Sequence, residues 1–142
     1  MLFRSVGGAA LDWLKQLCFR ELSETEFYDQ VIPEAEKRET RVSLDPPYLG
    51  GDRLEIEAHR AAFRDLTLAS DRLDLLAAVL HAMCTQHRKA LAALGMGQQF
   101  RRVFLTGGGA EVVRRLLPEY AGAAVQFLEE GSLRGVARLF SV

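Results

Sequence analysis

The run Leu105-Thr106-Gly107-Gly108-Gly109-Ala110 is the part of this 142-residue chain best suited to chemistry. Glycines carry no Cβ, so a ligand can lie against bare backbone there. A helix beginning after such a turn offers free N–H groups and the positive end of its dipole to an anion. One glycine is enough for a turn that needs positive φ; three in succession point to a bound ligand. The mononucleotide loop G-x-x-x-x-G-K-[ST] is excluded, because neither its lysine nor its hydroxyl is present. The dinucleotide fingerprint G-x-G-x-x-G comes nearer. Gly107 and Gly109 fill its first two places and Val112 stands at the third. Glu129 or Glu130 follows about 20 residues on, where such folds put a ribose-binding acid. A small NAD-type dinucleotide-binding domain is therefore one reading of the glycines.

The remaining polar residues form no catalytic constellation. Asp52 and Arg53 follow the turn Pro46-Pro47-Tyr48-Leu49-Gly50-Gly51 and make either a site pair or an ion pair that fixes the loop. His59, His81 and His87 have no carboxylate or nucleophile at diagnostic spacing. His81 and His87 stand six apart, on different faces of one helix, and share no metal. His87 falls on an apolar seam, where a histidine is usually a hydrogen-bonded core residue. Cys18 and Cys84 lie far apart inside apolar helical patterns and read as two buried thiols.

The elements that must position these residues follow from periodicity. Half of the chain is apolar (49%), 26% is charged, and 18 Lys+Arg against 19 Asp+Glu leave a net charge of -1. This composition suits one folded domain over residues 1–142, with no basic field for nucleic acid or an acidic membrane surface. No apolar run approaches the ~20 residues of a bilayer helix, and no secretory signal opens the chain, so a cytoplasmic protein is expected. Residues 9–22 carry helical spacing. A short helix after Ser23 should stop at Pro33, followed by a solvated charged stretch, with Val42-Ser43-Leu44 as a strand. A long helix capped by Ser70, with Asp71 and Asp74 in its first turn, should run to a stop at Gly95 and bury a face marked by Leu73, Leu76, Leu80, Met83, Cys84, His87, Leu91 and Leu94. Arg102–Thr106 and Ala123–Leu128 read as strands, Ala110–Tyr120 and Ser132–Phe140 as helices. Strand, helix, strand, helix with short joints predicts parallel strands, and the class is α/β.

Several segments, taken in order, resemble the C-terminal lobe of the FGGY carbohydrate kinases, the family of xylulose, glycerol and sedoheptulose kinases. Gly7-Gly8-Ala9-Ala10-Leu11-Asp12-Trp13-Leu14 is similar to the family's glycine and tryptophan-bearing helix. Pro47-Tyr48-Leu49-Gly50-Gly51-Asp52-Arg53 resembles its P-Y-L-x-G-E-R turn, and Phe63–Thr67 with Leu73–Met83 its strand and long helix. Leu105–Ala110 resembles its adenosine motif, and Glu130–Leu139 its closing helix. The resemblance implies an actin-like, ribonuclease-H-like ATPase lobe with a mixed sheet, whose C-terminal part is the parallel strand-helix-strand-helix unit. It implies nucleotide contacts at Gly8, Asp12, Gly107, Gly108, Gly109 and Ala110, with ATP and Mg²⁺ used by the full-length kinase. Val112 and Val113 stand where the family usually has Asn or Ser. Ala77 and His81-Ala82 replace an Arg and a Glu-Gly pair.

The family's catalytic aspartate, sugar-binding lobe and phosphate turn all lie N-terminal to the segment matched here. The resemblance therefore implies a fragment, inert alone, that needs an N-terminal lobe and a sugar or polyol substrate. Met1 to Ser5 match nothing in the pattern and read as non-native sequence. The missing lobe should leave an apolar face on the helix from Asp71 to Leu94 or on the turn at 46–51. A non-enzymatic interaction module that keeps the kinase fold is the remaining alternative.

Overall fold

The computed structural model describes residues 6–46, 60–95, 102–105, 112, 115 and 124–127. Helix α1 spans Val6–Cys18. It buries Ala10, Leu11 and Leu14 at the spacing of one helical face. It ends four residues before the expected Leu22. Phe19 turns inward to a fully buried position, and the amino group of Lys15 donates to the Leu22 carbonyl at 2.8 Å. Arg72 closes the same end, donating to the Cys18 carbonyl at 3.1 Å and lying 4.7 Å over the Phe19 ring. Arg72 thus satisfies the last carbonyl of the helix, and Lys15 ties the helix end to the chain that follows it.

The expected stop at Pro33 does not occur. Helical backbone runs through α2 (Glu24–Glu26), a π-turn (Phe27–Val31) and α3 (Ile32–Glu36). Its start is a capping box: Ser23 Oγ accepts from the Glu26 N–H at 3.2 Å, and Glu26 Oε2 accepts from the Ser23 N–H at 2.8 Å. The physical reason for the miss is the π-turn. Its extra residue lets Pro33 fall in the first turn of α3, where a missing N–H leaves no donor wanting. It also lets Phe27 and Ile32, five apart, both be fully buried.

Strand β1 (Ser43–Asp45) pairs antiparallel with β2 (Ala62–Arg64), in the register Ser43 to Arg64, Leu44 to Phe63 and Asp45 to Ala62. Leu44 faces the core between exposed neighbours, as alternation requires. Helix α4 (Arg72–Gly95) has the expected 24 residues. Its cap is Asp71 and not Ser70. Asp71 Oδ1 accepts from the N–H groups of Leu73 at 2.8 Å and Asp74 at 3.1 Å, while Asp74 Oδ2 accepts from the Asp71 N–H at 2.9 Å. Ser70 closes the turn before it, its hydroxyl accepting from the Thr67 N–H at 3.0 Å. Leu76 through Leu80 are buried without interruption, so α4 is enclosed on all sides there. Ala77, standing where the family pattern has an arginine, is one of these enclosed residues.

Strands β3 (Arg102–Leu105) and β4 (Ala124–Phe127) pair in parallel, Arg102 to Ala124 through Leu105 to Phe127. Val112 and Arg115, between them, are helical. The parallel strand–helix–strand reading holds on these residues, and antiparallel and parallel pairs both occur. The closing helix expected at Ser132–Phe140 lies outside the described residues. One core joins α1, the π-turn, α3, β1, α4 and Val112. No described helix is long and apolar enough to cross a membrane.

Candidate functional site

Of the residues proposed to contact nucleotide, Gly8 and Asp12 are described; Gly107, Gly108, Gly109 and Ala110 lie outside the described residues, as do Asp52, Arg53, His59, Glu129 and Glu130. Gly8 and Asp12 stand four apart on α1, one turn above the other, and both are half-buried. A glycine inside a helix costs roughly 0.5–1 kcal/mol relative to alanine. Gly8 adds no side chain one turn before the Asp12 carboxylate. Asp12 accepts a hydrogen bond at 3.1 Å from the hydroxyl of Tyr28, the second residue of the π-turn. The Tyr28 ring stands edge-on to the fully buried Phe27, with centroids 5.4 Å apart and planes at 89°. Phe27 in turn packs against Phe19 at 5.4 Å. The hydroxyl that meets Asp12 is thus held by the aromatic core.

The glycine run itself follows directly on β3, whose last residue, Leu105, pairs with Phe127 of β4. In open α/β sheets the carboxyl ends of parallel strands are where ligands settle. The helical residues beyond the run are anchored from two directions. Val112 is buried in the common core with Ala10 and Leu11 of α1. That decides its character: the valine in the third place of the dinucleotide fingerprint is a packing residue. Arg115 forks onto Glu36 at the end of α3, with Nη2 to Oε1 at 2.9 Å and Nε to Oε1 and Oε2 at 3.1 and 3.3 Å. The pair joins residues 79 apart in the chain and was invisible to any local pattern. Tyr28 was missed for a different reason, because the π-turn shifts the helical phase on which its orientation depends.

Substituting Arg115 by Met should cost about 1 kcal/mol, since the guanidinium is exposed to screening water and Glu36 less so. Urea unfolding of Arg115→Met, Glu36→Gln and the double variant checks this. Single losses that simply add would show that the fork contributes no coupling.

Other candidates divide by burial. His81 is exposed and His87 half-buried on α4, and burial pushes the His87 imidazole below its ordinary value. Among the described residues no three His, Cys, Asp or Glu side chains gather to hold a metal. Cys18 and Cys84 are free thiols, Cys84 buried and Cys18 half-buried, with burial pushing the Cys18 thiol up against a smaller opposing pull from Arg72. A separate groove of about 730 Å³ lies between residues 38–42 and 65–70. Its Arg38, Asp74 and Ser70 side chains are engaged in capping α4 and closing the turn before it.

The expected apolar face is not found among the described residues of α4, and residues 47–51 of the alternative turn lie outside the described residues. Leu76 to Leu80 are enclosed, and the exposed large apolar side chains are Trp13 and Leu17 on α1 (39% and 56% exposed) and Leu66 and Leu68 ahead of α4. Elements α3, β1 and α1 pack against α4 and cover its described surface.

Comparison with known proteins gives this lobe its family. The FGGY family of carbohydrate kinases, C-terminal domain, matches residues 3–141, and the chain belongs to that family. Among solved structures it is similar to the xylulose kinase from Rhodospirillum rubrum, with 25% sequence identity and a TM-score of 0.65. That match covers 87% of this chain and 26% of the kinase, so the chain spans about a quarter of the length of that relative. No curated protein matches.

Proposed function

We propose that the chain is the nucleotide-binding lobe of a carbohydrate kinase, which moves the γ-phosphoryl group of ATP to a sugar or polyol hydroxyl. The observation that carries this reading is the family match over residues 3–141. The geometry supports it at three places. Gly8, without a Cβ, stands one turn from Asp12 on α1; β3 ends two residues before Gly107, in a parallel pair with β4; and beyond the glycines Val112 packs in the core while Arg115 pairs with Glu36.

ATP supplies an activated phosphoryl group whose transfer needs positioning and charge stabilisation more than covalent help. In this reading the nucleotide lies against Gly8 and the glycine run, where no Cβ stands in its way, and Asp12 accepts hydrogen bonds from its donors. The base that takes the sugar hydroxyl's proton, the sugar contacts and the groups holding Mg²⁺ come from an N-terminal lobe. The chain by itself is then a binding protein without turnover. The sugar is set by that lobe, and the setting is the cytoplasm, where ATP is supplied. The 25% identity to a xylulose kinase makes a ketopentose the first substrate to try with a complete chain.

Calorimetric titration of the folded chain with ADP tests the reading. Saturable binding is expected, and Gly108→Val should weaken it at least tenfold, because a branched side chain would occupy the ligand's place on the backbone. Absence of any binding at millimolar ADP would overturn the reading.

A further inference from the structure

We infer that Tyr28 is a positioning residue for the nucleotide, holding the Asp12 carboxylate for the hydroxyls of a ribose. The inference rests on the reading of α1 as part of a nucleotide site and names which part of the ligand its carboxylate takes. An ionised carboxylate only accepts hydrogen bonds and repels phosphate, so Asp12 cannot serve the charged end of a nucleotide. Gly8 lies one turn nearer the helix N-terminus, where phosphate is favoured. Four residues of helix rise about 6 Å, comparable to the reach from a nucleotide's α-phosphate to its own ribose hydroxyls. The vicinal diol of a ribose presents two donors, which suits an acceptor-only group.

What fixes the carboxylate is the π-turn. Tyr28 donates to Asp12 Oδ1 at 3.1 Å across 16 residues of sequence, and its ring is wedged against Phe27. The aspartate stands on an element of its own, α1, so its rotamer is set from outside that helix. Phe27 has no exposure at all, which leaves the tyrosine ring little freedom to swing. π-turns within helices often occur at functional sites, and here the phase shift begins one residue before the tyrosine. The hydrogen bond orders Asp12 before ligand arrives, which removes part of the ordering cost from binding.

The test is titration of the chain and of Tyr28→Phe with ADP and with 2′-deoxy-ADP, beside their melting temperatures. The unaltered chain should prefer ADP. Tyr28→Phe should bind ADP roughly three- to tenfold more weakly, bind 2′-deoxy-ADP as before, and keep its melting temperature within a few degrees. Asp12→Ala should show the same collapse of preference. If Tyr28→Phe keeps the preference for ADP, or loses both ligands together with thermal stability, the hydroxyl is a structural staple and the inference falls alone. If the unaltered chain binds ADP without preferring it over the 2′-deoxy form, the ribose assignment falls. If it binds no ADP at all, the nucleotide reading falls as well.

Discussion

Phe27→Ala should lose about 3–5 kcal/mol of folding stability, a large share of the 5–15 kcal/mol typical of a domain. Phe27 is fully buried and packs against Phe19 on one side and Tyr28 on the other, both at 5.4 Å. Removing the ring costs its transfer from water and leaves a void in the common core beside Phe19 and Tyr28. The site is unable to collapse cheaply, because Phe27 opens the π-turn and Ile32, five residues on, is fully buried as well. Refilling the void would require re-registering the turn. Urea unfolding of the chain and of Phe27→Ala and Phe27→Leu measures the effect. The leucine variant should recover more than half of the loss, and equal losses for the two would place the cause in the backbone and not in packing. The same variant should loosen Tyr28, so whatever binding of ADP survives in Phe27→Leu should lose discrimination against the 2′-deoxy form before it loses affinity.

How much of this arrangement could be read beforehand depends on the range of the interactions. Helix α4 was legible because Leu73, Leu76, Leu80, Met83 and Cys84 repeat at helical spacing and acids sit at its start. Strands β1, β3 and β4 were legible from short apolar runs flanked by polar or turn residues, and the parallel pairing of β3 with β4 followed from the intervening helix. The cap moved by one residue because Asp71 and Asp74 can satisfy each other's backbone and Ser70 is needed for the turn at Thr67. Reading a break at Pro33 failed because proline was judged against α-helical hydrogen bonding, whereas the backbone there is a π-turn passing into a new first turn. A spacing of five between Phe27 and Ile32 was the available signal. In the candidate site, Gly8 and Asp12 came from a family pattern, and the structure adds what no pattern contains: Tyr28 on Asp12 and Arg115 on Glu36. The second of these crosses 79 residues, so only the folded chain brings its halves together.

The junction between α3 and α4 should be the acid-sensitive point of the fold. Asp74 is buried at the third position of α4 and carries three duties at once. It accepts from the Asp71 N–H, receives Arg38 Nε on Oδ1 at 3.2 Å and Nη2 on Oδ2 at 3.3 Å, and shares that guanidinium with Asp71. The Arg38 hydrogen bonds foremost, with the Asp71 backbone N–H next, hold its carboxyl at about 2 in place of the ordinary 3.8. A carboxylate harder to protonate in the folded chain than in the unfolded one adds stability that is complete above 3.8. That stability drains as pH falls and is gone below about 2. Its size is on the order of 1–2 kcal/mol, because Arg38 is partly exposed and water screens the pair. Asp74→Ala should cost more, about 2–3 kcal/mol at neutral pH, since it strips the cap from the Asp71 N–H and leaves Arg38 with Asp71 alone. Asp74→Asn separates the two contributions. It keeps an acceptor for the backbone but removes the titrating charge, so its stability should be lower at neutral pH and flatter toward acid. Urea midpoints of the three proteins between about pH 2 and about pH 6 decide the matter. An acid limb as steep in Asp74→Asn as in the unaltered chain would assign acid sensitivity to other carboxylates. A neutral-pH midpoint unchanged in Asp74→Ala would show that the long helix needs no fastening at this end. The expected result is the opposite, because Arg38 stands just past the Lys37 cap of α3 and Asp74 stands in the first turn of α4. The Arg38 guanidinium thereby adds a polar tie between the segment after α3 and the first turn of the main buried helix, beside the apolar core they share.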